Sequence, residues 1–149
     1  MILTEGRPKE TRLGDHAMET FEVRTSQRNT FVEITEQVRQ ALRKRGIKEG
    51  LCVVYCPHTT AAITINENAD PDVVHDMLSW LNRTIPQHQT DFRHGEGNSD
   101  SHLKASLIGS SATVLVDKGD LVLGRWQGIY FCEFDGPRVR QVHVQLMGY

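Results

Sequence analysis

The sequence lacks several features that would assign a chain to a functional class at once. It has no apolar run close to the ~20 residues that a membrane-spanning helix needs, so we expect no contact with a membrane. Lys and Arg number 17 against 19 Asp and Glu, with no long basic block, which argues against a nucleic-acid-binding protein. The glycines form neither a P-loop nor a dinucleotide fingerprint, so these common nucleotide-binding motifs are excluded.

Cysteine is also scarce. Cys52, Cys56 and Cys132 are odd in number, and no two of them form a C-x-x-C pair. A disulfide framework or a zinc–thiolate site usually shows such pairing, so we expect three free, buried thiols.

The length and composition are typical of one globular domain. The chain has 149 residues, of which 38% are hydrophobic and 24% charged, and it is long enough to bury a core. The first 18 residues carry mixed charge and lack the apolar centre of a signal peptide. We therefore predict a polar N-terminal extension over residues 1–18, a single domain over residues 19–149, and a cytoplasmic protein.

Short apolar runs separated by turn residues predict a chain with more strands than helices. Residues 19–25 and 30–34 flank a polar turn, which predicts a β-hairpin. The continuous apolar run Leu51–Tyr55 predicts a central strand that is buried on both faces. Further strands are predicted at residues 61–65, 112–116, 121–123, 128–134 and 139–147.

Three helices are predicted from apolar positions that recur three and four residues apart. Thr35 is expected to cap the first helix, and Gly46 to end it. Asp70 caps the second helix, with Pro71 at the first helical position. The buried stripe of the second helix is expected to comprise Val74, Met77, Leu78 and Leu81.

The third helix follows a long polar stretch. Asp100 or Ser101 is expected to cap it, and Leu103, Leu107 and Ile108 are expected to face the core. Together the elements predict an α+β fold of packed, mostly antiparallel sheets, with about three helices covering one side.

Residues 94–102, with the sequence HGEGNSDSH, contain no apolar side chain. The segment is either a solvated surface loop or a loop whose polar groups converge on a ligand. His58 favours the second interpretation, because it directly follows the most apolar predicted strand and so has a fixed position. His102 is fixed in the first turn of the third helix, and His94 lies on a loop that can fold back toward it.

Three imidazoles predict a divalent metal site at His58, His94 and His102. Such ligands suit zinc, with magnesium or calcium as the alternatives, and a catalytic zinc site keeps one position open. No short metal motif such as H-E-x-x-H supports the site. Carboxylates that could take a proton or orient an imidazole are Glu67, Asp100 and Glu133, and basic groups that could bind an anionic substrate are Lys104, Arg125 and Arg138.

Three segments carry a family resemblance: HTTAAITINENADPD (58–72), HGEGNSDSHLKASLIG (94–109) and LGRWQGIYFCEFDGPR (123–138). They resemble, in the same order, the signature blocks of the YjbQ family, and the similarity extends over roughly residues 19–147. The resemblance implies a homotrimer of compact α+β subunits, with a metal held by the three histidines named above. Trp126 and Gln127 of the third block are added as candidates for substrate binding.

The resemblance also implies an activity, since the family is commonly described as secondary thiamine-phosphate synthases. These would join a pyrimidine diphosphate to a thiazole phosphate with release of pyrophosphate. Displacement of pyrophosphate usually employs magnesium held by carboxylates, whereas three imidazoles favour an ion that activates water. Three hypotheses therefore stay open: a synthase of this type, a zinc-type hydrolase of a phosphorylated small molecule, and a non-enzymatic trimer that binds a metabolite or partner and uses the metal structurally.

Overall fold

The computed structural model describes residues 18–149, so most of the predicted N-terminal extension lies outside the described part of the chain. These residues form three helices and eight strands, arranged in two antiparallel sheets. The helices are α1 (Thr35–Arg45), α2 (Pro71–Thr84) and α3 (Ser99–Ile108). The strands are β1 (Glu19–Arg24), β2 (Thr30–Glu33), β3 (Gly50–Tyr55), β4 (Ala61–Glu67), β5 (Ser111–Asp117), β6 (Asp120–Leu121), β7 (Gln127–Glu133) and β8 (Val139–Gly148).

The larger sheet has the order β1-β8-β3-β5-β6 and the smaller one the order β2-β7-β4. The main core lies between the two sheets and includes one face of α1. A second apolar cluster joins the other face of the smaller sheet to α2 and α3. The predicted α+β fold is confirmed.

The predicted hairpin of the first two strands is wrong, because the two strands belong to different sheets. β1 pairs with β8, which follows more than a hundred residues later in the chain. β2 pairs with β7, which follows nearly a hundred residues later. The turn between them carries the chain from one sheet to the other.

The prediction that β3 is buried on both faces is also wrong. Cys52 and Val54 face the core, but Leu51 and Tyr55 on the opposite face are exposed. The strands buried on both faces are β4 and β7 of the smaller sheet, whose alternate residues enter the two apolar clusters.

Two of the predicted helix ends are confirmed. Gly46 ends α1 in the left-handed conformation, with φ of 65°. The side chain of Asp70 caps α2 by accepting a hydrogen bond from the amide of Asp72, and Pro71 begins the helix. Thr35, by contrast, is the first residue of α1 rather than its cap, and its hydroxyl accepts from the amide of Ile129 in the adjacent sheet.

The predicted orientation of α3 is wrong for its two leucines, whereas Ile108 packs against the second apolar cluster as expected. Leu103 is 47% exposed and Leu107 61%, whereas Asp100 and Lys104 are buried. The cap is also misplaced, because Asn98 precedes the first helical residue, and Asp100 lies inside the helix. Along α2 only Leu81 of the predicted stripe is fully buried.

The three cysteines are free and buried, as predicted. Within residues 18–149, no helix has both the length and the apolar character that crossing a membrane requires.

Candidate functional site

His58 lies three residues beyond Tyr55, the last residue of β3, and its half-buried ring is fixed by the backbone of β8. Its Nε2 accepts a hydrogen bond of 2.9 Å from the backbone amide of Gln141 in β8. Burial, reinforced by the positive charge of Arg140, lowers the pKa of His58 below its usual 6.5. The ring is therefore neutral near pH 7, and because Nε2 accepts, its proton is on Nδ1, which is a hydrogen-bond donor.

His102 and His94 meet edge to face. Their ring centroids are 5.4 Å apart, with an angle of 83° between the planes. His102 is fixed on the first turn of α3, whereas His94 lies on the exposed loop before the helix. The Nε2 atom of His94 is 3.6 Å from a carboxylate oxygen of Glu96.

His58 and His102 line the same cavity, which has a volume of about 320 Å³. Its opposite wall includes the turn that follows β7 and the start of β8. Two arginines, the carboxylates of Glu96 and Asp135 and a buried amide line it, so the cavity is polar. The lining residues used below are His58, Asn98, His102, Asp135, Arg138 and Arg140. A second cavity of about 470 Å³ shares both histidines.

A buried ion pair forms the floor of this region. Glu133 is fully buried, and Arg140 is only 3% exposed. The Nε and Nη2 atoms of Arg140 both donate to Glu133, and Nη2 also donates to the hydroxyl of Thr60 at 2.8 Å. Glu133 further accepts from the hydroxyl of Thr25 and the amide of Asp135. Its burial gives Glu133 no route to a direct contact with substrate, so in this structure it orients Arg140 and the turn after β7.

A second buried cluster positions α3. Asp100 accepts two hydrogen bonds from Arg28, at 3.0 and 2.9 Å, and one of 3.0 Å from Lys104. The ammonium of Lys104 also donates to Asn29 and Asn82, so its three donors are satisfied by protein groups. Neither Asp100 nor Lys104 reaches the cavity, and their contacts indicate a role in fixing the helix that carries His102.

The remaining predicted site residues lie at the other end of the smaller sheet. Ala61 pairs with Glu133 and Glu67 with Gln127, so six residues separate the two ends of β4. At the rise of an extended strand this is about 20 Å. Arg125 stacks on Trp126, with 4.8 Å from the guanidinium carbon to the ring centroid, and Gln127 accepts from the amide of Gly124. The structure therefore divides the predicted residues into those that line the cavity, the buried residues Asp100, Lys104 and Glu133 that lie behind it, and a distant group: Glu67, Arg125, Trp126 and Gln127.

The family of the chain follows from comparison with known proteins. A family model described as UPF0047 protein YjbQ-like matches residues 19–149. The chain belongs to this family.

Several relatives cover nearly the same length. UPF0047 protein YugU of Bacillus subtilis is 50% identical over 132 residues, which are 88% of this chain and 99% of the relative. A crystal structure of a yjbq/upf0047 family protein from Clostridium acetobutylicum is 50% identical and superposes with a TM-score of 0.85, covering 87% of this chain and 99% of that one. A YbjQ-like protein of unknown function from Sulfolobus solfataricus is 33% identical, with a TM-score of 0.86 over 90% of this chain and 98% of that one.

The metal predicted for this YjbQ-family chain does not fit the described residues as they stand. Within residues 18–149, no three His, Cys, Asp or Glu side chains are arranged to hold an ion. The reason at His58 is chemical: Nε2 accepts from Gln141, and the proton on Nδ1 blocks that nitrogen as a ligand. Only His94 and His102 are adjacent, so we derive no chemical step through a metal.

Two cavity residues were missed by the motif-based reasoning. Asn98 is 7% exposed, donates to Asp135 at 2.8 Å, and leaves its buried side-chain oxygen without a hydrogen-bond partner among residues 18–149. Arg140 could have been found, because it occupies the same alternating face of β8 as Val142, Val144 and Leu146. A charged residue at a core position of a strand is a signal in itself, since burying a charge is costly unless it is paired.

Proposed function

We propose that this YjbQ-family protein is an enzyme that binds a phosphorylated small metabolite in the cavity between His58, His102 and Arg138. The observation that carries the proposal is the convergence of donor residues there: His58, whose neutral ring carries its proton on Nδ1, and Arg138 line one cavity of about 320 Å³. Donors of this kind bind phosphoryl oxygens.

His102 is the residue that could transfer a proton. It lines the cavity, and no protein group in the described part of the chain hydrogen-bonds to its ring nitrogens. Histidine is the side chain that most often serves as a general acid or base in enzymes. The synthase reaction suggested by the family resemblance is the specific form of the proposal, because both of its substrates are phosphorylated.

The test is to titrate the protein with inorganic phosphate and pyrophosphate, and then to incubate it with the two thiamine precursors, with and without zinc or magnesium. We expect phosphate to bind, and His102→Ala to reduce turnover at least about tenfold. His75→Ala is the matched control, since His75 is exposed on α2 and its ring hydrogen-bonds to the neighbouring Asp76. Absence of phosphate binding would contradict the proposal, and absence of product alone would reject only the synthase reaction.

Binding of a divalent metal, zinc first, by His58, His94 and His102 stays a prediction. Metal binding at His58 requires the hydrogen bond between its Nε2 and the amide of Gln141 to break. Elemental analysis of the wild type beside His58→Ala tests it directly, and an equal metal content in both proteins would remove His58 from the ligand set. Hydrolysis by a metal-bound water has no separate support in the geometry.

The protein is further proposed to assemble as a homotrimer. Support comes from a row of exposed apolar side chains on the outer face of the larger sheet, which is developed in the Discussion. If the protein is instead a non-enzymatic binding module with a structural metal, His94→Ala should lower the melting temperature as well as the affinity for the ligand.

A further inference from the structure

Arg140 is a buried cation, and two of its three guanidinium nitrogens have hydrogen-bond partners within residues 18–149. Its side chain is 4% exposed, and it lines the cavity beside His58 and His102. Nε and Nη2 are engaged by Glu133 and Thr60, whereas Nη1 has no hydrogen-bond partner among residues 18–149. Nη1 is also not among the fully buried unpaired atoms of residues 18–149, so it keeps some accessible surface, and the cavity is the opening that Arg140 lines.

The ion pair makes this nitrogen a rigid donor. A guanidinium has five N–H groups, and fixing two of its nitrogens in a fork orients the third. Glu133 is in turn held by Thr25 and by the amides of Phe134 and Asp135, so the fork cannot rotate freely. An oriented donor loses little entropy when a ligand binds, and in a buried site its attraction for an anion is weakly screened.

The other cations of the predicted site are less suited to this role. Lys104 has its three donors occupied by protein acceptors. Arg138 is half exposed, and its Nε and Nη2 atoms donate to Asp135. Arg125 stacks on Trp126 at the distant end of the smaller sheet.

We infer that Nη1 of Arg140 is the anchor for a phosphoryl oxygen of the ligand, with the Nδ1–H group of His58 as its neighbour, and that Glu133 sets the strength of this anchor. The inference rests on the proposed function, which places a phosphorylated ligand in this cavity. Arg138, at the mouth, is then a secondary contact. Glu133 weakens the attraction of Arg140 for an anion, because it partly neutralises the guanidinium while holding it in place.

The experiment titrates inorganic phosphate into the wild type, Arg140→Lys and Glu133→Gln by calorimetry. Arg140→Lys keeps the charge, but the shorter side chain and its single ammonium replace the planar fork that reaches Glu133 and the cavity with different nitrogens. We expect its phosphate affinity to fall about tenfold or more, the effect of losing one charge-assisted hydrogen bond. Arg39→Lys is the matched control, since Arg39 pairs with Asp120 on the exposed side of α1, and its affinity should equal that of the wild type.

Glu133→Gln separates binding from folding. Both Glu133→Gln and Arg140→Lys disturb the same buried pair, so both should lower the melting temperature. Only the first leaves an unneutralised guanidinium, and we expect it to raise phosphate affinity severalfold. Opposite changes in affinity from two destabilised variants are not produced by a merely structural role.

Several outcomes would overturn the inference. If the wild type binds phosphate and Arg140→Lys binds it equally well, the anchor is elsewhere and the proposed function still stands. A decrease in affinity for Glu133→Gln equal to that of Arg140→Lys would assign the pair a structural role only. If the wild type binds no phosphate, the proposed function fails, and the inference fails with it.

Discussion

At the scale of single residues, Asp100 shows how a predicted catalytic carboxylate becomes a structural one. Burial raises the pKa of its carboxyl group, but the hydrogen bonds from Arg28 and Lys104 outweigh burial and hold the pKa below the usual 3.8. The charged form is therefore the one that the fold stabilises. Since Asp100 ties α3 to the turn before β2, its charge supports the position of His102 indirectly.

Replacing Asp100 by Asn should cost about 3 kcal/mol of stability at pH 7, because Lys104 and Arg28 then lose a buried counter-charge. A carboxylate whose pKa is depressed on folding contributes stability that is complete above the unfolded value and is lost as the pH falls through the folded value. The difference in the free energy of unfolding between the wild type and Asp100→Asn should therefore become smaller below about pH 3.8. Urea unfolding at pH 7 and pH 3 measures it, with the exposed Asp76→Asn as control, and an unchanged difference would contradict the ion-pair account.

At the scale of elements, the orientation of α3 could not be predicted from its apolar pattern, because the helix has two competing faces. Positions 100, 101, 104 and 105 share one helical face, and positions 103 and 107 share another. The leucines favoured the second face as the buried one. The outcome was decided by partners distant in sequence, Arg28, Asn29 and Asn82, which satisfy the charges of the first face.

The observed orientation predicts unequal costs for substitutions on the two faces. Leu107→Gln should change the free energy of unfolding by about 0.5 kcal/mol at most, because the side chain is 61% exposed. Ala105→Leu should cost about 1–3 kcal/mol, because Ala105 is 7% exposed and belongs to the apolar cluster under α3. Chemical denaturation of both variants checks the orientation, and a larger loss for Leu107→Gln would contradict it.

For the strands and the site as well, features that depend on neighbouring residues were predictable, and features that depend on residues distant in sequence were not. Helix ends such as Gly46 and Asp70 depend on neighbouring residues, and they were predicted correctly. The partner of β2 depends on β7, about a hundred residues away, and no turn motif reveals it. Likewise, the fixed positions of His58 and His102 could be inferred locally, whereas the distance of Trp126 from the cavity follows only from the register of β4 and β7.

At the scale of the whole molecule, the outer face of the larger sheet exposes apolar side chains that nothing within a single chain covers in residues 18–149. The register places Met147, Leu51 and Leu115 in one row across three neighbouring strands. They are 41%, 36% and 59% exposed, and no helix within residues 18–149 covers them. Contiguous exposed apolar surface of this kind is typical of protein–protein interfaces.

The proposed homotrimer can be tested at the centre of this row. Leu115→Glu places a charge beside Leu51, and burying an unpaired carboxylate in an apolar interface is strongly unfavourable. We expect the wild type to sediment as three chains and Leu115→Glu to sediment as one, while the monomer keeps its fold because the side chain points away from the core. Leu107→Glu is the matched control, since Leu107 is 61% exposed but lies on α3, which packs against the smaller sheet, and it should leave the trimer intact. A Leu115→Glu protein that still sediments as three chains would exclude this face as the interface, and a monomeric wild type would exclude the trimer itself.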